Sequence, residues 1–163
     1  MRALLTEQAA YNSWANNLVI NTMKSVEPHL IEKMVNSSFQ SLRDTVIHCW
    51  SAEDIWLQRL NNVEDTIWAQ SIFKGSFDDA CNNWLLSSTG LEKFLENSND
   101  ALLTTECRYK DLKGNQYTTP VYQVLHHVFN HATYHRGQLI TLLRQVGVTT
   151  LPRTDFIVFV RER

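Results

Sequence analysis

Apolar side chains recur along this chain at the three-to-four spacing of helices, in long windows with few breaks. The first window runs from about Ala3 to Ser25, with Leu4, Tyr11, Trp14, Leu18 and Met23 near helical spacing, and stops before Pro28. A second runs from about Ser38 to Asn62, and a third from about Phe77 to Asn97. The fourth starts with Thr119 as a candidate N-cap and Pro120 at the first helical position, where a missing N–H is harmless; it runs to Gly147, a suitable C-terminal stop. Only 5 Gly and 3 Pro occur in 163 residues, so little in the composition opposes long helices. The pattern predicts an all-α fold, a four-helix bundle, with residues 1–163 forming one domain.

Two segments depart from the helical period. In CRYKDLKGNQYTT (Cys107 to Thr119), polar residues alternate loosely with Tyr109 and Leu112 around a turn-like Lys113-Gly114-Asn115, which predicts a short β-hairpin before the fourth helix. The apolar, β-branched FIVFV (Phe156 to Val160) predicts a short strand or an extended segment laid on the bundle.

Bulk composition narrows the classes. Hydrophobic residues at 44% and charged residues at 20% are ordinary for a globular protein. A net charge of -2 gives no electrostatic reason to bind nucleic acid. No window approaches the roughly 20 apolar residues of a membrane span. The N-terminal stretch is interrupted by polar residues from Thr6 onward, unlike the apolar core of a signal peptide. Three cysteines, Cys49, Cys81 and Cys107, are odd in number and lack a C-x-x-C pair. Buried thiols in a reducing compartment, the cytoplasm, are therefore expected. Five tryptophans (Trp14, Trp50, Trp56, Trp68 and Trp84) read as core or dimer-interface anchors, and a homodimer is expected.

The candidate chemistry lies in VLHHVFNHATYHRGQ (Val124 to Gln138), which holds four of the six histidines. On a wheel of ~100° per residue centred on Val128, the core-facing stripe comprises Val121, Val124, Ala132, Leu139, Leu142 and Val146. His135 falls about 20° from its centre and His131 about 60°, while His127 is marginal and His126 lies almost opposite. Two inward imidazoles at i, i+4 can reach one ion. They are otherwise core histidines, each in need of a buried hydrogen-bond partner. The motif is not H-E-x-x-H, because Ala132 stands where a zinc peptidase carries its general-base glutamate. A third ligand is needed for a catalytic site. His29 follows Pro28 in an interhelical turn and is expected at the surface. His48 lies mid-helix between two apolar stripes, and periodicity leaves its orientation undecided.

Tyr11 and Trp14-Ala15-Asn16 in the first helix, His48 followed by Glu53 and Trp56 in the second, HVFNHATYHRGQL in the fourth and the closing TDFIVFVRE (Thr154 to Glu162) together resemble the DinB family. The resemblance covers essentially the whole chain. It implies a four-helix bundle, often dimeric, with a long crossover between the second and third helices. It also implies one divalent metal per chain held by His48, His131 and His135, with His127 beside them as a pocket-lining residue. Nitrogen-rich ligation suits zinc or nickel, with iron a third option. Some relatives resemble thiol-dependent transferases, so a low-molecular-weight thiol is the expected partner; activation of water is the other chemistry of such a site. The rival expectation is a non-catalytic stress protein whose metal is structural or sensing. Arg136, Arg153, Arg161 and Arg163 read either as holders of an anionic substrate group or as surface or structural ion pairs, the second being preferred. No spacing argument makes Tyr134 or Glu53 a general acid or base.

Overall fold

Serine caps open two of the four long helices. Ser41 Oγ accepts the Asp44 N–H and starts α3 (Leu42–Leu60); Ser76 and Asp79 form a reciprocal capping box that starts α5 (Phe77–Glu96). The second helix thus begins later than Ser38, because residues 36–40 are spent on a loop closed by Val35 N–H to Gln40 O. This computed structural model describes residues 1–162. The other long helices are α1 (Arg2–Lys24) and α7 (Val121–Gln145), and four short ones accompany them: α2 (Pro28–Ile31), α4 (Ala69–Ile72), α6 (Asp100–Thr104) and α8 (Phe156–Arg161).

The predicted hairpin is present as β1 (Glu106–Lys110) and β2 (Gln116–Pro120), antiparallel, with Gly114 supplying the positive φ its turn needs. It changes how the last long helix starts. Thr119 pairs with Cys107 and Pro120 with Glu106, so Thr119 is a strand residue and Pro120 is the N-cap. The Val121 N–H, the first orphan donor of α7, is satisfied by Thr105 O at 2.9 Å. At the other end Gly147 adopts φ +100 just beyond the helix, as the stop signal required.

Two apolar clusters fix the topology. One joins Val19, Ile20 and Met23 of α1 to the N-terminal halves of α3 and α5 (Val46, Trp84) and the C-terminal half of α7 (Leu139, Leu142). The other joins Leu5 and Ala9 of α1 to Leu60 of α3, Leu91 and Leu95 of α5, and Val121 to Phe129 of α7. Helices α1 and α7 therefore run one way, and α3 and α5 the other. Because α3 and α5 are parallel, residues 61–76 must return along the bundle, which is the expected long crossover. Around the square the order is α1, α5, α3, α7. Gly90 lets α5 close on α3, since a Cβ there would collide with Leu57.

The FIVFV segment is neither strand nor extended. It forms α8, because its apolar residues serve one helical face: Phe156 and Phe159 pack on Tyr11 at centroid distances of 5.2 and 5.7 Å, while Ile157 and Val160 remain exposed. No sheet edge adjoins it. The Tyr11 hydroxyl donates to Thr154 O at 2.7 Å and fastens the chain just ahead of this turn. No helix among the described residues is long and apolar enough to cross a membrane.

Candidate metal centre

His48 projects from α3, and His131 and His135 from adjacent turns of α7, which packs beside it. The three rings meet: centroids lie 4.6 Å apart for His48 and His135, 5.3 Å for His48 and His131, and 4.3 Å for His131 and His135. One ring nitrogen from each falls within 4.8 Å of the others. His131 Nε2 and His135 Nε2 are 3.0 Å apart. Nitrogens bonded tetrahedrally to an ion at about 2.0–2.1 Å are separated by roughly 3.3 Å. The α7 pair is already close to that spacing, and His48 needs to close by at most about 1.5 Å, within the reach of a side-chain adjustment.

The surroundings set which nitrogen is offered. Gln138 Oε1 accepts the His135 Nδ1–H at 2.7 Å, which leaves Nε2 with its lone pair toward the cluster. The Gln138 amide is held in turn, its Nε2 donating to Tyr134 Oη at 3.1 Å and Ser38 Oγ at 3.3 Å. Gln70, in the crossover, hydrogen-bonds His48. Phe39 stacks on His48 at 4.3 Å and also meets His135 at 5.7 Å, while Trp68 stands edge-on to His48 at 5.8 Å.

Burial and mutual repulsion keep the rings neutral. Desolvation, then the nearby His135, lowers the His48 pKa to about 4. Desolvation, then His135, His48 and His127, lowers that of His131 to about 3. Desolvation also pulls His135 down. Three neutral imidazoles with converging ring nitrogens are the donor set of a borderline divalent ion such as zinc or nickel. Among the described residues no fourth His, Cys, Asp or Glu joins the group. The donor set fits the ion and comprises three protein ligands.

The remaining histidines separate as the wheel divided them. His127 lies against His131 at 5.7 Å and Trp56 at 5.3 Å, at the margin of the site. His126 is exposed on the far face, and His29 is exposed too, though within α2 rather than a turn. Cys49, Cys81 and Cys107 are buried and unpaired, and desolvation raises each thiol, Cys81 to about 12. They are inert filling at neutral pH. Trp84 is fully buried and the other four tryptophans partly so.

Arg136 is neither a surface ion pair nor a substrate contact. It is 2% exposed and donates to Asn12 Oδ1 and Asn16 Oδ1, at 2.5 and 2.9 Å, and to Thr133 Oγ1 at 2.8 Å. The same two asparagines turn their amide nitrogens to Glu53 Oε1, each at 2.9 Å, where Trp84 Nε1 also donates; Ser88 Oγ donates to Oε2 at 2.7 Å. Glu53 is thus a structural hub and no proton-transfer group at the histidines. Arg153 and Arg161 are exposed, and Arg163 lies outside the described residues. Helical periodicity did not single out Asn12, Asn16, Gln70, Gln138 or Phe39. Two carried another signal: Asn16 within the Trp14-Ala15-Asn16 element of the resemblance, and Gln138, three residues beyond His135 on the same side of the helix.

Comparison with known proteins agrees with this fold. The family model described as DinB family matches residues 1–161. A curated relative, "Protein DinB" of Bacillus subtilis (strain 168), is 25% identical over 153 residues, covering 90% of this chain and 87% of that protein. In fold, the chain is similar to a DinB-like protein from Bacillus subtilis (TM-score 0.67, 14% identity, 91% of this chain and 96% of the other). It is likewise similar to one from Bacillus cereus ATCC 10987 (TM-score 0.65, 19% identity, 85% and 89%).

Proposed function

The chain belongs to the DinB family, and from that premise we propose that it is a divalent-metal-binding enzyme, with His48, His131 and His135 as ligands of one zinc or nickel ion per chain and iron as the third option. The observation that carries the proposal is the convergence of three neutral imidazoles with no fourth protein donor beside them. Structural zinc sites close with four protein ligands, whereas catalytic ones use three and keep a position for water or substrate. When bound, the ion supplies Lewis acidity and lowers the pKa of a thiol or water presented to it.

The chain's own residues prepare that position. Gln138 fixes the His135 tautomer and Gln70 holds His48, so that ring nitrogens are turned toward the ion's position. Phe39 and Trp68 cover His48 and keep bulk water from its ring, which strengthens electrostatic interactions within the site. A small thiol is the substrate we favour over water, because a soft thiolate binds a nitrogen-ligated zinc or nickel ion well and stays deprotonated there. We place the protein in the cytoplasm, as a homodimer of one-domain chains.

A non-catalytic metal protein is the competing reading, and it requires a site closed to exogenous ligands. Cobalt-loaded protein separates the two. Addition of 2-mercaptoethanol or azide is expected to shift the visible spectrum, followed by turnover in a survey of thiol acceptors with the metal fully loaded. A spectrum that ignores both ligands would favour the closed site, and open coordination without turnover would remove the enzyme.

A further inference from the structure

Beside the histidines a cleft of about 600 Å³ opens between the crossover and the hairpin, floored by the C-terminal end of α3. Trp68 is a wall common to both, lining the cleft and standing edge-on to His48 at 5.8 Å. Tyr109 and Tyr117, stacked at 5.8 Å, form the hairpin side.

The cleft also contains a cation that the fold does not neutralise. Arg59 is 6% exposed. Its Nη2 donates to Lys110 O at 2.7 Å, and its guanidinium lies over Trp56 and Tyr109, at 4.4 and 5.0 Å from the ring centroids. Its Nε is buried without a hydrogen-bond partner, and among the described residues no carboxylate stands within 4.0 Å of it. Asp111 is near enough to be felt, but its oxygens accept from the Lys113 and Asn115 backbone and the Asn115 amide. A buried guanidinium without a counter-charge is costly, and the two rings offset only part of that. Arg136, also buried and with its own Nε unpartnered, has three acceptors for its terminal nitrogens, whereas Arg59 has one and faces a cleft.

We infer that this cleft is a binding site for a small organic monocarboxylate with an apolar or aromatic body, its carboxylate received by Arg59 and its body by Trp68, Tyr109 and Tyr117. The carboxylate supplies both the missing acceptor and the missing charge. Inorganic phosphate is a poor occupant, because it offers no apolar body to Trp68, Tyr109 and Tyr117. That the occupant is the substrate of the metal centre rests on the function proposed above; the carboxylate site itself does not.

The test therefore uses metal-free protein. Tryptophan fluorescence is followed while 3-phenylpropionate, its neutral analogue 3-phenylpropionamide, or inorganic phosphate is added. The carboxylate is expected to saturate, with amide and phosphate weaker by about tenfold or more, the worth of one charge-assisted hydrogen bond. Arg59→Gln removes that preference while helical circular dichroism is retained. Because Arg59 also holds the hairpin, Lys110→Glu provides a second variant: residue 110 is exposed, its backbone carbonyl is untouched, and the new carboxylate at the cleft competes for the guanidinium. Equal binding of carboxylate and amide, equal binding of phosphate, no binding by wild type, or an unaltered preference in folded Arg59→Gln or Lys110→Glu would each overturn the inference. Metal content measured on the same preparations keeps the outcomes apart: carboxylate binding without metal binding would remove the enzyme and leave the cleft.

Discussion

Helices α3 and α7 each contribute to two polar clusters inside one bundle, and the clusters end differently. Glu53 and Arg136 meet through Asn12 and Asn16, each amide giving its N–H to the carboxylate and its oxygen to the guanidinium. With Trp84 and Ser88 added, the carboxylate accepts four hydrogen bonds from two other helices. His48, five residues before Glu53, and His135, next to Arg136, enter a cluster whose ring nitrogens face one another. The first cluster is satisfied by the fold except at Arg136 Nε, and it joins all four long helices. The second gathers three histidines that could hold a metal ion, and a bound cation is the completion we propose for it. Burial alone therefore does not mark a functional site; unmet bonding capacity does.

Breaking the satisfied cluster should give the largest effect on stability. Glu53→Leu leaves Arg136 buried without its bridged counter-charge, and we expect a loss of about 3–5 kcal/mol, or roughly 10 °C in Tm for a chain of this size. Urea unfolding measures it, and metal stoichiometry at low temperature should survive in whatever remains folded. The pair Glu53→Leu with Arg136→Met should be less harmful than the sum of its members, because neither charge is then left alone.

Disturbing the unsatisfied cluster should spare the fold and change its ligand. Gln138→Leu frees the His135 tautomer, and we expect zinc affinity to fall about 10–100-fold by competition with a chromogenic chelator. Its effect on metal-free stability should stay near 1 kcal/mol, the usual worth of one hydrogen bond.

The pH dependence of metal-free stability sharpens the contrast. An unfolded histidine takes up its proton near pH 6.5, whereas folded His48 and His131 resist it until about 4 and about 3. Between those limits the unfolded chain binds more protons, so stability is full above pH 6.5 and declines as pH falls through 6 and 5 toward 4. Thermal melts across that range should show the decline, and His131→Asn should flatten it. An unchanged slope in that variant would mean that other groups set the acid limit. His126→Ala, on the exposed opposite face, should alter stability by less than about 0.5 kcal/mol and leave metal binding unchanged.

The four long helices and the hairpin were legible because period and turn chemistry report them directly. Three features were not. The FIVFV segment has the composition of a strand, yet with no sheet edge to join it forms a helical turn against Tyr11. Thr119 and Pro120 match a helix start, and the ladder with β1 claims them first. Asn12 and Asn16 gave no sign of their buried network, because their partners Glu53 and Arg136 are distant in sequence. Within the candidate site the wheel placed His131 and His135 inward, and the structure does the same. His48 was left open by periodicity and came only from the family resemblance, since α3 is apolar on two sides. Phe39 and Gln70 sit in connections where no period exists, and Arg59 looks like any charged residue near a helix end until its surroundings are seen.

The central claim is that the three imidazoles hold a metal ion, and metal content per chain is its most direct test. Tag-free wild type, His131→Ala and His135→Ala would be analysed by plasma mass spectrometry after loading with zinc or nickel and desalting. We predict near-stoichiometric metal in wild type and its loss in both variants, with helical circular dichroism unchanged. A wild type that neither carries nor takes up metal, or variants that retain it in full, would contradict the account.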